Sequence, residues 1–141
     1  MHLKTVIKWT HTLVTLILAV VVAGLLYLNS GGDSRENDKL ISSSQIDKNT
    51  WLYITEYGSG GATVPYLYRY YLAGKLEGNV SGQLARSVAF MEAGGSAAQV
   101  SAEGDTITIS YGGKVYAFSN SVVYESHGET LQPHINFHAR N

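Results

Sequence analysis

Residues 9–28 read WTHTLVTLILAVVVAGLLYL and contain no charged side chain. As a helix, a run of about 20 apolar residues crosses a hydrocarbon core of about 30 Å. Lys4 and Lys8 precede it, and the polar run NSGGDSRENDK follows directly. Nothing else in the chain restricts its fold as strongly, because a segment of this kind has to be taken up by lipid or by a large apolar interior. The remaining sequence offers no interior of that size.

A cleaved secretory signal also begins with basic residues, but its apolar run is shorter, about 7–15 residues, and ends at small residues. Here Leu25, Leu26, Tyr27 and Leu28 carry the run past the small positions Val22 and Gly24. An uncleaved anchor is the better reading. Trp9 and Tyr27 lie at its two ends, where amphipathic rings prefer the headgroup zone. The hydroxyls of Thr10, Thr12 and Thr15 can bond back to helix carbonyls, which makes them tolerable in lipid. The short basic N-terminal tail favours an N-inside orientation, although Arg35, Lys39 and Lys48 lie on the other side. The sequence therefore divides into a cytoplasmic tail (1–8), a transmembrane helix (9–28), a flexible linker (29–49) and a folded domain (50–141). In a bacterium the domain would be periplasmic, on a single-pass protein of the inner membrane.

The linker expectation rests on a polar stretch with only Leu40, Ile41 and Ile46 as large apolar residues. Those three mark where it would touch the domain. Beyond it, residues 50–57 (TWLYITEY) and 62–73 (ATVPYLYRYYLA) have the aromatic and β-branched character of strands, separated by Gly58-Ser59-Gly60-Gly61. Pro65 lacks an amide hydrogen and places its end at a sheet edge or bulge. The two runs, 51–57 and 66–72, are expected to pair as an antiparallel hairpin.

Leu84, Val88 and Met91 then recur at helical spacing, which predicts a helix over 80–93 with Ser81 as N-cap and Gly94-Gly95 as stop. Four short strands follow at 98–102, 106–111, 115–119 and 122–126, with Gly112-Gly113 expected as a hairpin turn. In the second of them Ile107, Ile109 and Tyr111 alternate with Thr106, Thr108 and Ser110, the pattern of a half-buried antiparallel strand. Residues 131–138 complete the set. The fold class is therefore α+β: one N-terminal transmembrane helix, then a small domain with an antiparallel sheet of five to seven strands and one packed helix.

Chemistry-bearing motifs are sparse. The formal net charge is −1, which leaves no basic footprint for nucleic acid. There is no cysteine, which excludes a disulfide scaffold, a thiolate zinc site and lipid attachment to an N-terminal cysteine. His134, Asn136 and His138 would share one face of a strand, with His127 and Glu129 upstream. Two imidazoles four residues apart on a strand are separated by about 13 Å, too far to share one ion. A solvated strand face is expected, with no metal and no cofactor. Residues 58–63 lack the Lys-Ser/Thr of a phosphate loop, and Ser59 lacks the setting of a nucleophile elbow. The acids Glu56, Glu77, Glu92, Glu103, Asp105, Glu125 and Glu129 form no pair that the sequence alone singles out. The chain is not expected to be an enzyme.

The stretch PYLYRYYL remains. Tyr66, Tyr68 and Tyr70 would share one strand face, and Leu67, Arg69 and Tyr71 the other. Tyrosine and arginine dominate binding hot spots, yet tyrosine also suits a half-buried strand. The candidate binding residues are Trp51, Tyr53, Tyr66, Tyr68, Arg69 and Tyr70, with packing as the competing role.

The runs WLYITEYGSGGATVPYLYRYYL and GKVYAFSNSVVY, within residues 51–124, resemble small uncharacterised envelope proteins of enteric Gram-negative bacteria. That resemblance implies one N-terminal anchor and a periplasmic β-rich domain, and some proteins of this form are immunity proteins that neutralise antibacterial toxins. It carries over no functional residue. The glutamate of a type IV pilin's N-terminal helix is missing. A protein-binding module is therefore expected, either toxin-neutralising or an accessory subunit of a cell-envelope complex. An envelope enzyme with a site formed only in three dimensions ranks behind both.

The orientation yields the first prediction. A reporter active only in the periplasm, fused after Asn141, should be active, and the mature N-terminus should still include Lys4. Activity confined to a cytoplasmic reporter would reverse the topology.

Overall fold

A computed structural model describes residues 2–30, 35–58 and 65–141, and divides them into two compact units, 1–34 and 35–141. The first unit is one helix, α1 (His2–Ser30), long and apolar enough to cross a membrane. Within it the hydroxyls of Thr10, Thr12 and Thr15 donate to the carbonyls of Val6, Lys8 and His11 at 2.8, 2.9 and 2.9 Å. Each hydroxyl thus finds its partner four residues back, which removes the cost of carrying it in an apolar helix.

The second unit is α+β, as expected. Its larger sheet has five antiparallel strands in the order β1-β2-β3-β4-β7, from β1 (Lys39–Gln45), β2 (Trp51–Tyr57), β3 (Leu67–Ala73), β4 (Met91–Ala93) and β7 (Val115–Phe118). The expected hairpin is present, with Trp51 opposite Ala73 and Tyr57 opposite Leu67. A second sheet has the order β10-β6-β5, from β5 (Gln99–Glu103), β6 (Thr106–Tyr111) and β10 (His134–Ala139). A short ribbon joins β8 (Tyr124–Ser126) to β9 (Glu129–Leu131). Its two-residue turn, His127-Gly128, has positive φ at both positions, 51° and 78°. That is the twist a tight hairpin needs, and glycine supplies half of it without strain.

The sheets pack face to face. Leu52, Ile54, Tyr70 and Leu72 of the larger sheet meet Ile107, Ile109, Tyr111 and Ile135 of the smaller one in the main core. Burying one such aliphatic side chain contributes about 1.5–3 kcal/mol. On the opposite face of the larger sheet, Tyr53, Tyr71 and Ala73 pack under the helix α2 (Val80–Ala85) through its Leu84. The strand β3 is therefore central, and from Arg69 to Ala73 it is buried on both sides.

Four expectations need correction. The stretch 29–49 is not a tether throughout: residues 39–45 form strand β1, paired from Lys39–Glu56 to Gln45–Trp51, and Asp38 is buried. Leu40 packs against the helix-side core and Ile46 against the main core, so the apolar marks were those of a domain element. The helix is shorter than 80–93. Asn79, not Ser81, caps it by accepting from the Gly82 amide at 3.0 Å. Leu84 points into the helix-side core while Met91 enters the main core and Val88 is 73 % exposed, so the three never share a face. The free edge of β3 wins this segment for pairing, with Tyr70 opposite Met91.

Third, Gly112-Gly113 is no hairpin turn, because β7 leaves β6 and pairs with β4. The glycine at 113 answers a close approach instead: a Cβ there would collide with the Tyr111 ring. Fourth, the smaller sheet is not wholly antiparallel. Its last strand β10 runs parallel to β6, from His134–Thr106 to Ala139–Tyr111.

These corrections move the start of the folding unit. A fragment of residues 35–141 should be soluble and melt cooperatively, whereas 50–141 lacks β1 and the partner of a buried arginine and should not. A cooperative melt of the shorter fragment would return 35–49 to the status of a linker.

Candidate functional site

The central hairpin was expected to carry a binding surface, and most of its candidate residues lie inside. Tyr53, Arg69 and Tyr70 are 2 %, 2 % and 0 % exposed, which removes them from any surface of this fold. Trp51 is half-buried, its ring stacked on Tyr53 at 6.3 Å. Tyr68 is half-buried against the main core. Tyr66, at 58 % exposure, is the one candidate still largely open to solvent. The alternation on β3 is as read, with Tyr70 toward the second sheet and Tyr71 toward the helix. Its premise fails from Arg69 to Ala73, where both faces are covered.

The buried tyrosines are individually anchored. The Tyr70 hydroxyl donates to the Gly95 carbonyl at 2.6 Å, and burial pushes its phenol up to about 12. The Tyr53 hydroxyl accepts from the Leu76 amide at 2.8 Å. Burial also pushes the Tyr71 phenol up, against the opposing pull of Arg35 and Arg69. Neither Tyr70 nor Tyr71 thus has the depressed value of an activated nucleophile or base.

Arg69 is the hub of the helix-side face. Its guanidinium donates to Asp38 Oδ2 at 2.5 Å and to Glu92 Oε1 at 3.1 Å, and stands 5.4 Å from the centre of the Tyr57 ring. The Thr55 hydroxyl donates to the same Asp38 oxygen at 3.3 Å. The other oxygen, Oδ1, is buried without a hydrogen-bond partner among the described residues. A buried pair of this kind roughly offsets its own desolvation, but removing one member strands a charge.

Past Arg69, toward the Tyr57–Leu67 end of the hairpin, no helix among the described residues covers the sheet face, and a groove of about 360 Å³ opens there. Tyr57, Leu67, Glu92 and Tyr116 contribute from four neighbouring strands, and Pro65 and Tyr66 close the rim. The lining is almost entirely apolar. Its one carboxylate, Glu92, is already engaged by Arg69. Tyr116 is 45 % exposed, with the Lys114 ammonium 5.0 Å from its ring centre. Such a groove can take an apolar side chain, and among the described residues its lining holds no carboxylate beyond the engaged Glu92.

Tyr57, Glu92 and Tyr116 were not among the sequence candidates. Tyr57 lies across the hairpin from Leu67, beside Tyr66, and only the strand order brings Glu92 of β4 and Tyr116 of β7 to them. The histidines behave as read: His134, Asn136 and His138 are exposed on β10 while Ile135 is buried between them. Among the described residues no three potential metal ligands cluster. Most of the Gly-rich stretch, residues 59–64, lies outside the described residues. No protein-family model matches this chain, and comparison with curated proteins and with solved structures gives no match.

The Arg69 network predicts an order of effects. Asp38→Ala should lower stability by roughly 3–5 kcal/mol, because the arginine loses its buried partner. Glu92→Ala should cost less, since the Glu92 side chain is 25 % exposed and water can replace it. Chemical denaturation of the two variants gives the comparison. Equal or reversed losses would show that Asp38 is not the main counter-charge.

Proposed function

We propose that the chain is a membrane-anchored protein-binding module whose domain works in the periplasm, and that it engages an apolar side chain of a partner protein in the groove between Tyr57, Tyr66 and Tyr116. The groove carries this reading: it is an apolar depression rimmed by solvent-exposed tyrosine, on a domain whose other tyrosines of the hairpin are spent on packing. Large aromatic side chains at the centre of a contact supply most of its binding energy, because they bury much area at little entropic cost. The helix α1 would hold the module at the membrane where such a partner arrives. A toxin neutralised at the inner membrane and a subunit of an envelope complex are both partners of this kind. The lack of a free acid–base pair in the groove favours binding over catalysis.

The reading separates from packing in one experiment. Tyr66→Ala and Tyr116→Ala, in the full chain purified from membranes, should each weaken partner retention by about 2 kcal/mol or more. Their melting curves should stay within about half a kcal/mol of the wild type, as for other exposed positions. The remote surface variant His138→Ala should retain the partner. Full retention by both tyrosine variants would move the interface away from this groove.

A further inference from the structure

A second concavity lies away from the groove, beside the turn that joins β1 to β2. It encloses about 120 Å³ and is lined by Asp47, Asn49 and Thr50 on one side and by Gly104, Asp105 and Gln132 on the other, with Tyr124 behind them. Both walls are fixed by backbone bonds. The Thr50 carbonyl accepts from the amides of Ile46 and Asp47 at 3.0 and 3.3 Å, and Asp47 Oδ1 accepts from the Asn49 amide at 2.7 Å. Opposite, the His134 amide donates to the Asp105 carbonyl at 2.7 Å, tying the β5–β6 turn to β10.

The floor has a hydrogen to spare. Thr50 and Tyr124, 2 % and 9 % exposed, join their hydroxyls at 2.6 Å. Two hydroxyls carry two hydrogens, and one bond uses one of them. Neither hydroxyl has another partner among the described residues. Burial pushes the Tyr124 phenol up, so it keeps its proton at ordinary pH. The pair therefore keeps one O–H that has no acceptor among the described residues.

The walls offer the complement. Neither Asp47 nor Asp105 is ion-paired among the described residues. Their carboxylates are acceptors only, and the amides of Asn49 and Gln132 present a donor and an acceptor each. Ile107, Leu131, Pro133 and the Tyr124 ring supply an apolar side. A bare divalent cation accepts no hydrogen bond, so it would leave the hydroxyl and amide hydrogens of the lining unmet. A ligand hydroxyl suits both halves, since it accepts from the floor and donates to a carboxylate, while a ring's C–H face lies on the apolar side.

We infer that this cavity is a binding site for the hydroxyl-bearing edge of a saccharide. It stands apart from the groove, so either site can exist without the other.

The test uses the full chain in phospholipid nanodiscs, free of sugar-headed detergent, followed by amide NMR during titration with glucose and with N-acetylglucosamine. One or both should shift the amides of Thr50 and Asp105 saturably in the millimolar range, and leave those of Tyr66 and Tyr116 unmoved. Asp105→Asn, on an exposed turn, should keep the melting temperature and weaken the binding about tenfold, the usual worth of a hydrogen bond to a charged group. Three outcomes would each overturn the inference: no saturable shift with either sugar, equal affinity in Asp105→Asn, or saturation of the same amides by Ca²⁺ in place of sugar. A second variant, Asp47→Asn, guards against a local rearrangement of the β5–β6 turn, and must weaken binding as well.

Discussion

A cation in the middle of a sheet governs how this domain closes. Arg69 occupies the central strand of five and is buried on the helix side, so its charge must be met by the chain itself. Glu92 comes from the next strand and meets it partly in solvent. Asp38 comes from the other direction, just ahead of the edge strand, and meets it in the interior. The requirement recruits residues 35–45 into the domain: their side chains are mostly polar, and the strand they form has one face in water. A segment with so little apolar surface has weak reason to dock on hydrophobic grounds. The buried arginine gives it one.

The same constraint separates the two faces of the larger sheet into different kinds of surface. Toward the second sheet the core is a dry interdigitation of Leu52, Ile54, Tyr70 and Met91 with the isoleucines of β6 and β10. Toward the helix, the short α2 covers only the end of the sheet near Tyr53, Tyr71 and Ala73. Arg69 and its acids occupy the middle. Beyond them Tyr57, Tyr66 and Tyr116 line the groove. The apolar spacing suggested a helix running on to residue 93. Strand pairing along β3 took that segment instead. A ladder edge beside buried aromatic rows outweighs a modest helical periodicity.

Alternation and composition are local properties, and they survived. The apolar span of α1, the hairpin of β2 with β3, the face pattern of β6 and the outward histidines of β10 could all be read from neighbouring residues, because each depends on spacings of two or about four. What alternation leaves open is whether the second face of a strand meets water or another layer. That single ambiguity explains why Arg69, Tyr53 and Tyr70 read as contact residues and lie inside. An arginine amid aromatic strand residues was itself a signal, since it called for a buried acid somewhere in the chain. Asp38 could not be picked out among eleven acids without the fold.

By itself, then, the sequence determined a lipid-length helix at the N-terminus, an α+β domain built on an aromatic hairpin, and a chemistry without thiols. Tertiary structure alone decided the order of the strands, and with it every long-range partnership: Asp38 with Arg69, β10 alongside β6, Tyr116 beside Tyr57, Asp47 facing Asp105. The physical reason lies in range. Side-chain periodicity is set by backbone geometry over a few residues, whereas burial of a charge or the shape of a groove depends on which distant strands satisfy one another's edges and faces at least cost.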